Sequence, residues 1–142
     1  MTEPSERTRR WLSWVPAIAV MVVIFALSSQ SGLKVSEDAA VDKPFRITGH
    51  LLAFGTLSAM FLLALSWDRR PRLRDAIAAF GLTVLYGVLD EWHQSFVPDR
   101  TGRLDDVVTD AIGALIGLVV AWVVLGVAAG RRSSGAAEGR RS

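Results

Sequence analysis

Three stretches of this chain run for the length of a bilayer crossing with almost no charge, and that restricts its fold more than any other feature. Trp11–Ser29 holds no ionisable residue, Ile47–Trp67 holds only His50, and Val107–Gly130 holds only Asp110. A spanning helix needs about 20 predominantly apolar residues. In hydrocarbon every backbone N–H and C=O must be satisfied internally, which a helix does within one segment. A fourth stretch, Ala76–Leu89, is apolar but short of a full crossing. Continued through Asp90, Glu91, His93 and Gln94 to Val97 it becomes long enough, and Pro98 then stops it because proline cannot continue the helical ladder.

The expected fold is therefore all-α: an integral membrane bundle of four transmembrane helices over residues 11–130, with a cytoplasmic tail at 1–10 and a second at 131–142. The tails are Ser-, Gly- and Arg-rich, a composition that predicts disorder. A length of 142 residues suits one domain. The chain has no Cys, which excludes a disulfide framework, a thiol nucleophile and thiolate metal sites. The Thr8-Arg-Arg-Trp-Leu12 start ahead of an apolar run looks like a secretory signal. The run is long, flanked by Trp11 and Trp14, and lacks a small-residue cleavage site, so it is expected to stay as the first span.

Orientation follows from the basic residues. Of sixteen Lys and Arg, Arg7, Arg9, Arg10, Arg69, Arg70, Arg72, Arg74, Arg131, Arg132, Arg140 and Arg141 fall on one side of a four-span topology. The positive-inside rule makes that side cytoplasmic, with both termini inside. The other side holds Glu37, Asp38, Asp42, Asp90, Glu91, Asp99, Asp105, Asp106 and Asp110, so the polar constellation is expected to face out of the cell. Arginines beside apolar spans indicate membrane orientation, and no nucleic-acid partner is expected.

The chemistry concentrates between Leu89 and Gly117, where acids, a histidine and two arginines are wedged between apolar segments. Ionisable groups at bilayer depth cost a few kcal/mol or more each, so they are seldom there without a role. Asp106, Asp110, Gly113 and Gly117 share one helical face, acids outermost and then a glycine groove that lets a neighbouring backbone approach. Thr83, Gly87, Asp90 and Gln94 share another, with Glu91 offset from it and His93 one turn beyond Asp90. On the second span Gly49 and Ala53 are small residues one turn apart, and His50 lies near the outer end. Arg100 is expected to pair with a carboxylate, first of all Asp106, and Arg103 to contact headgroups or neighbouring acids. No H-E-x-x-H, D-x-D, P-loop or Ser-His-Asp pattern is present, and neither a metal nor a cofactor is expected.

At these residues the chain resembles the VanZ-like family of small bacterial membrane proteins. The resemblance rests on Ser28-Ser-Gln30, on Asp42-Lys43 followed by His50, and above all on the run from Asp90 to Gly117. Asp90, Glu91, Gln94, Phe96, Pro98, Arg100, Asp106, Gly113 and Gly117 match the family pattern, while Asp110 stands where the family more often has Asn. The resemblance implies a bacterial inner-membrane protein of the cell envelope, in a family named for a member linked to resistance to the glycopeptide teicoplanin. It implies no defined reaction.

The leading expectation is a module that binds or handles an anionic, lipid-linked envelope component. Its ligand contacts would come from His50, Asp90, Glu91, His93, Gln94, Arg100, Arg103, Asp106 and Asp110, and its helix packing from Gly87, Gly113 and Gly117. Two alternatives stand beside it. One is an intramembrane enzyme using His and carboxylate acid–base chemistry. The other is a structural partner of another membrane protein.

Overall fold

A computed structural model of the protein describes residues 5–31, 38–98, 100 and 102–138, with the backbone alone at 39 and 129–138. Asp99, Glu37, Arg140 and Arg141, named above, lie outside the described residues. Five helical segments and no strand occur among the described residues: α1 (Glu6–Leu12), α2 (Val15–Ser28), α3 (Ala39–Leu65), α4 (Leu73–Gln94) and α5 (Leu104–Glu138).

Local chemistry sets the helix ends. Ser5 caps α1 by accepting from the Thr8 N–H at 3.2 Å. Only Ser13 and Trp14 separate α1 from α2, and Pro16, in the first turn of α2, needs no donor there. Asp38 caps α3 through the Ala40 N–H at 2.9 Å. The turn after α3 passes through Asp68 at φ 55°, left-handed backbone that Asp tolerates better than most residues. At the start of α4 the Asp75 carboxylate accepts from the Arg72 N–H at 2.8 Å and from Arg69 at 2.6 and 2.9 Å.

Several ends differ from expectation. The helix α1 occupies much of the tail predicted to be disordered, because Ser5 supplies its cap. The backbone of α5 continues to Glu138, past Gly130 where the span was expected to end. That segment contains no proline, and a helical Gly costs only about 1 kcal/mol. At the other boundary α4 stops at Gln94, three residues short of Val97. The Phe96 and Val97 N–H groups reach back only three residues, to His93 and Gln94, as the chain tightens into a turn. Pro98 disfavours helical geometry in the residue before it, so the unwinding begins early.

Among the described residues, three helical runs are long and apolar enough to cross a membrane: Glu6–Ser28, Ala40–Leu65 and Leu104–Ala128. The chain is a multi-pass membrane protein. Its outward face is what lipid requires, with Val22, Leu52, Leu85, Val119 and Val123 all more than half exposed. The fourth expected span, α4, is not among them: Arg74 and Asp75 lie in its first turn and Asp90, Glu91, His93 and Gln94 in its last turns.

The closest packing is between α3 and α5; α4 leans on both, and α2 rests on α3 and α4. Phe54, Leu57, Phe61, Leu62, Ala79 and Leu118 fill the centre. Glycines let α3 and α5 touch backbone to backbone. A Cβ on Gly113 would stand 2.6 Å from the Leu51 carbonyl oxygen, and one on Gly117 would overlap Gly55. The α3 half of this seam is Leu51 and Gly55, whereas Gly49 has open space around it. The two differ because six residues turn about 600°, which leaves Gly49 and Gly55 about 120° apart around α3.

Gly113→Ala and Gly117→Ala should each destabilise the detergent-solubilised protein by about 1–3 kcal/mol through overpacking. Gly49→Ala and Gly126→Ala, which meet nothing within 4 Å, should be neutral or mildly stabilising. Thermal unfolding of the four variants checks this; equal tolerance at all four positions would contradict the seam.

Candidate functional site

One end of the bundle gathers polar side chains from every long helix. From α3 come Arg46 and His50, one turn apart; from α5 come Asp106 and Asp110, also one turn apart. The matched spacing makes a two-rung ladder. Arg46 donates to Asp106 at 3.1 Å, and His50 Nδ1 lies 2.7 Å from Asp110 Oδ1. An ionised carboxylate only accepts, so with Asp110 charged the imidazole donates from Nδ1. Leu51 and Gly55 continue the same contact inward against Gly113 and Gly117.

Asp110 is the deepest of these groups, 1% exposed. Room for its carboxylate comes from Gly87 on α4, where a Cβ would sit 3.2 Å from Asp110 Oδ2 and 3.3 Å from the Phe54 ring. Gly87 thus serves the site as well as the packing. The His50 ring lies parallel to Phe54 with centroids 6.1 Å apart.

A second network runs between α2 and α4. Ser28 Oγ donates to Asp90 Oδ2 at 2.7 Å, and Gln94 Nε2 donates to the same oxygen at 2.9 Å. Arg100 donates to Gln94 Oε1 at 3.0 Å. The polarity is forced: Arg100 can only donate, so Gln94 meets it with oxygen and turns nitrogen towards the carboxylate. The segment after α4 folds back over the helix end. Arg103 gives its backbone N–H to Glu91 Oε2 at 2.8 Å, and the Gly102 backbone lies so close to the Glu91 carbonyl that no Cβ would fit.

The structure brings together His50, Asp90, Glu91, Gln94, Arg100, Asp106 and Asp110. It adds two residues the sequence reading did not assign, Ser28 and Arg46. The signal for Arg46 was its four-residue spacing from His50, equal to that of Asp106 from Asp110. The expected Arg100–Asp106 pair is corrected: Asp106 is taken by Arg46, and Arg100 reaches back to α4. The Arg103 guanidinium makes only a 3.4 Å surface contact to Asp105. His93 lies apart, 3.1 Å from Ser29 Oγ and against Phe25 with centroids 4.6 Å apart.

Beside the cluster a groove of about 230 Å³ opens between α2 and α4, lined by Phe25, Tyr86, Leu89, Asp90, Trp92 and His93. Its walls are apolar apart from the Asp90 and His93 end. Tyr86 closes the inner side, donating to the Met21 carbonyl at 2.6 Å.

A family model described as VanZ/LLP1 matches residues 5–125, most of the chain and all of this cluster. No curated protein and no solved structure matches.

A double-mutant cycle separates the two arginines. Arg46→Ala and Asp106→Ala should couple by on the order of 1 kcal/mol in detergent unfolding, because the Arg46 side chain is 40% exposed and partly screened. Arg100→Ala and Asp106→Ala should add to within about 0.5 kcal/mol. Coupling in the second cycle and none in the first would reverse the assignment.

Proposed function

The chain belongs to the VanZ/LLP1 family, and from that premise we propose that it is a four-span envelope protein binding an anionic, lipid-linked component at its extracytoplasmic end. Both termini lie in the cytoplasm in this reading, as the eleven clustered arginines favour. The fourth span is α4. Its 22 residues reach about 33 Å at 1.5 Å each, enough for a hydrocarbon core of about 30 Å. Hydropathy undervalues it because Asp90, Glu91 and Gln94 are buried inside the bundle rather than turned to lipid.

The observation that carries the reading is Arg100. Its half-buried guanidinium meets a neutral amide, Gln94 Oε1, and no carboxylate among the described residues. A guanidinium offers five N–H donors in a planar fork suited to phosphate or carboxylate. Arg46, held by Asp106, supplies a second cation at the same end, and the apolar groove beside Asp90 suits the start of a lipid chain. A role in glycopeptide (teicoplanin) resistance would follow the family member for which the family is named.

A second reading, an intramembrane enzyme, is favoured by the 2.7 Å His50–Asp110 contact, since a carboxylate orienting an imidazole makes a competent general base. The structural-partner reading loses support, because the glycine seam that would dock another protein is filled by α3.

Native mass spectrometry of protein released gently from bacterial membranes tests the proposal. Wild type should carry an anionic lipid. Arg100→Lys keeps the charge but loses the fork, and should lower occupancy severalfold. Asp110→Asn should still fold and retain the lipid. Equal occupancy in Arg100→Lys and wild type would remove the anion site; conversion of the bound lipid by wild type but not His50→Ala would favour the enzyme.

A further inference from the structure

Three helices each deliver one donor side chain to the floor of the cluster: His50 from α3, Glu91 from α4 and Asp110 from α5. One ligand atom from each lies within 4.8 Å of the other two. Glu91 and Asp110 are 5% and 1% exposed, yet Glu91 Oε1 and Asp110 Oδ2 have no hydrogen-bond partner. The other oxygen of each is already engaged, Glu91 Oε2 by the Arg103 N–H and Asp110 Oδ1 by His50. Two acceptors therefore sit bare in a place largely closed to water, which native structures seldom tolerate.

The charge balance has the same gap. Asp106 is matched by Arg46. Asp90 is met only by the Ser28 hydroxyl and the Gln94 amide, both neutral. Glu91 receives a backbone N–H. Among the described residues neither Asp90 nor Glu91 forms an ion pair, and Asp110 pairs only with His50. Buried carboxylates must be paired, protonated or bound to a metal.

The geometry points to a divalent metal ion held by His50, Glu91 and Asp110. One imidazole and two carboxylates, with no thiolate in the chain, suit zinc or manganese; magnesium and calcium favour all-oxygen sets. Three protein ligands leave a coordination position open, at the same end of the bundle as Arg46 and Arg100. No single helix carries a metal-binding spacing, because each contributes one ligand. The site stands on the buried donors, whether or not the arginines bind a lipid anion.

The test uses full-length protein in detergent, purified through a tag without histidine, stripped with EDTA and dialysed against Zn²⁺ or Mn²⁺. Metal content by mass spectrometry should reach about one ion per chain, and affinity should fall at least tenfold in His50→Ala and Glu91→Gln. His93→Ala, whose ring lies outside the cluster, should bind as wild type does. Co²⁺ offered to wild type should give visible ligand-field bands that change in the near-isosteric Asp110→Asn, a readout that survives if another variant fails to fold. Absence of stoichiometric zinc or manganese from wild type, or an equal loss in His93→Ala, would overturn the site.

Discussion

A carboxylate buried among membrane helices must be matched from within the protein, and the polar half of this structure follows from that need. Asp90, Glu91, Asp106 and Asp110 are all buried. Water and headgroups cannot reach them freely, so partners come from within the protein: Ser28 from α2, Arg46 and His50 from α3, and, for Asp90, also Gln94 one turn further along its own helix. The contacts of Ser28, Arg46 and His50 also fix how two helices sit against one another.

The glycine seam and the ladder depend on each other. The seam at Gly55, Gly113 and Gly117 draws α3 and α5 close enough for Arg46 to reach Asp106 and for His50 to reach Asp110. The rungs in turn set the register that aligns the seam. A one-residue slip of either helix would turn its side chains about 100° away from their partners. Gly87 extends the same logic to α4, where the absence of a side chain gives the Asp110 carboxylate its place.

The helical class and the end of the bundle that carries the chemistry were legible in the sequence. Long uncharged runs permit little but helices, and ionisable residues inside them stand out against their surroundings. Gly113 and Gly117 were legible too, since they share a face with Asp106 and Asp110. The partners were not. Choosing Arg46 over Arg100 for Asp106, or finding Gly55 as the α3 side of the seam, depends on the rotation of α3 about its axis. Ser28 closes a span and looks like a loop residue until Asp90 is seen beside it. Helix ends moved because caps at Ser5 and Asp38, and Pro98 acting on the residue before it, are settled by local geometry that hydropathy does not report.

The functional account rests on α4 crossing the bilayer and on the cluster opening to the outside. Single cysteines in this Cys-free chain test both at once. Asp105→Cys, at the cluster end where the native side chain is 85% exposed, should react with a membrane-impermeant maleimide in intact cells. Arg70→Cys, exposed in the connection between α3 and α4, should react only after permeabilisation. Labelling of Arg70→Cys in intact cells with Asp105→Cys protected would place the cluster in the cytoplasm and contradict the account.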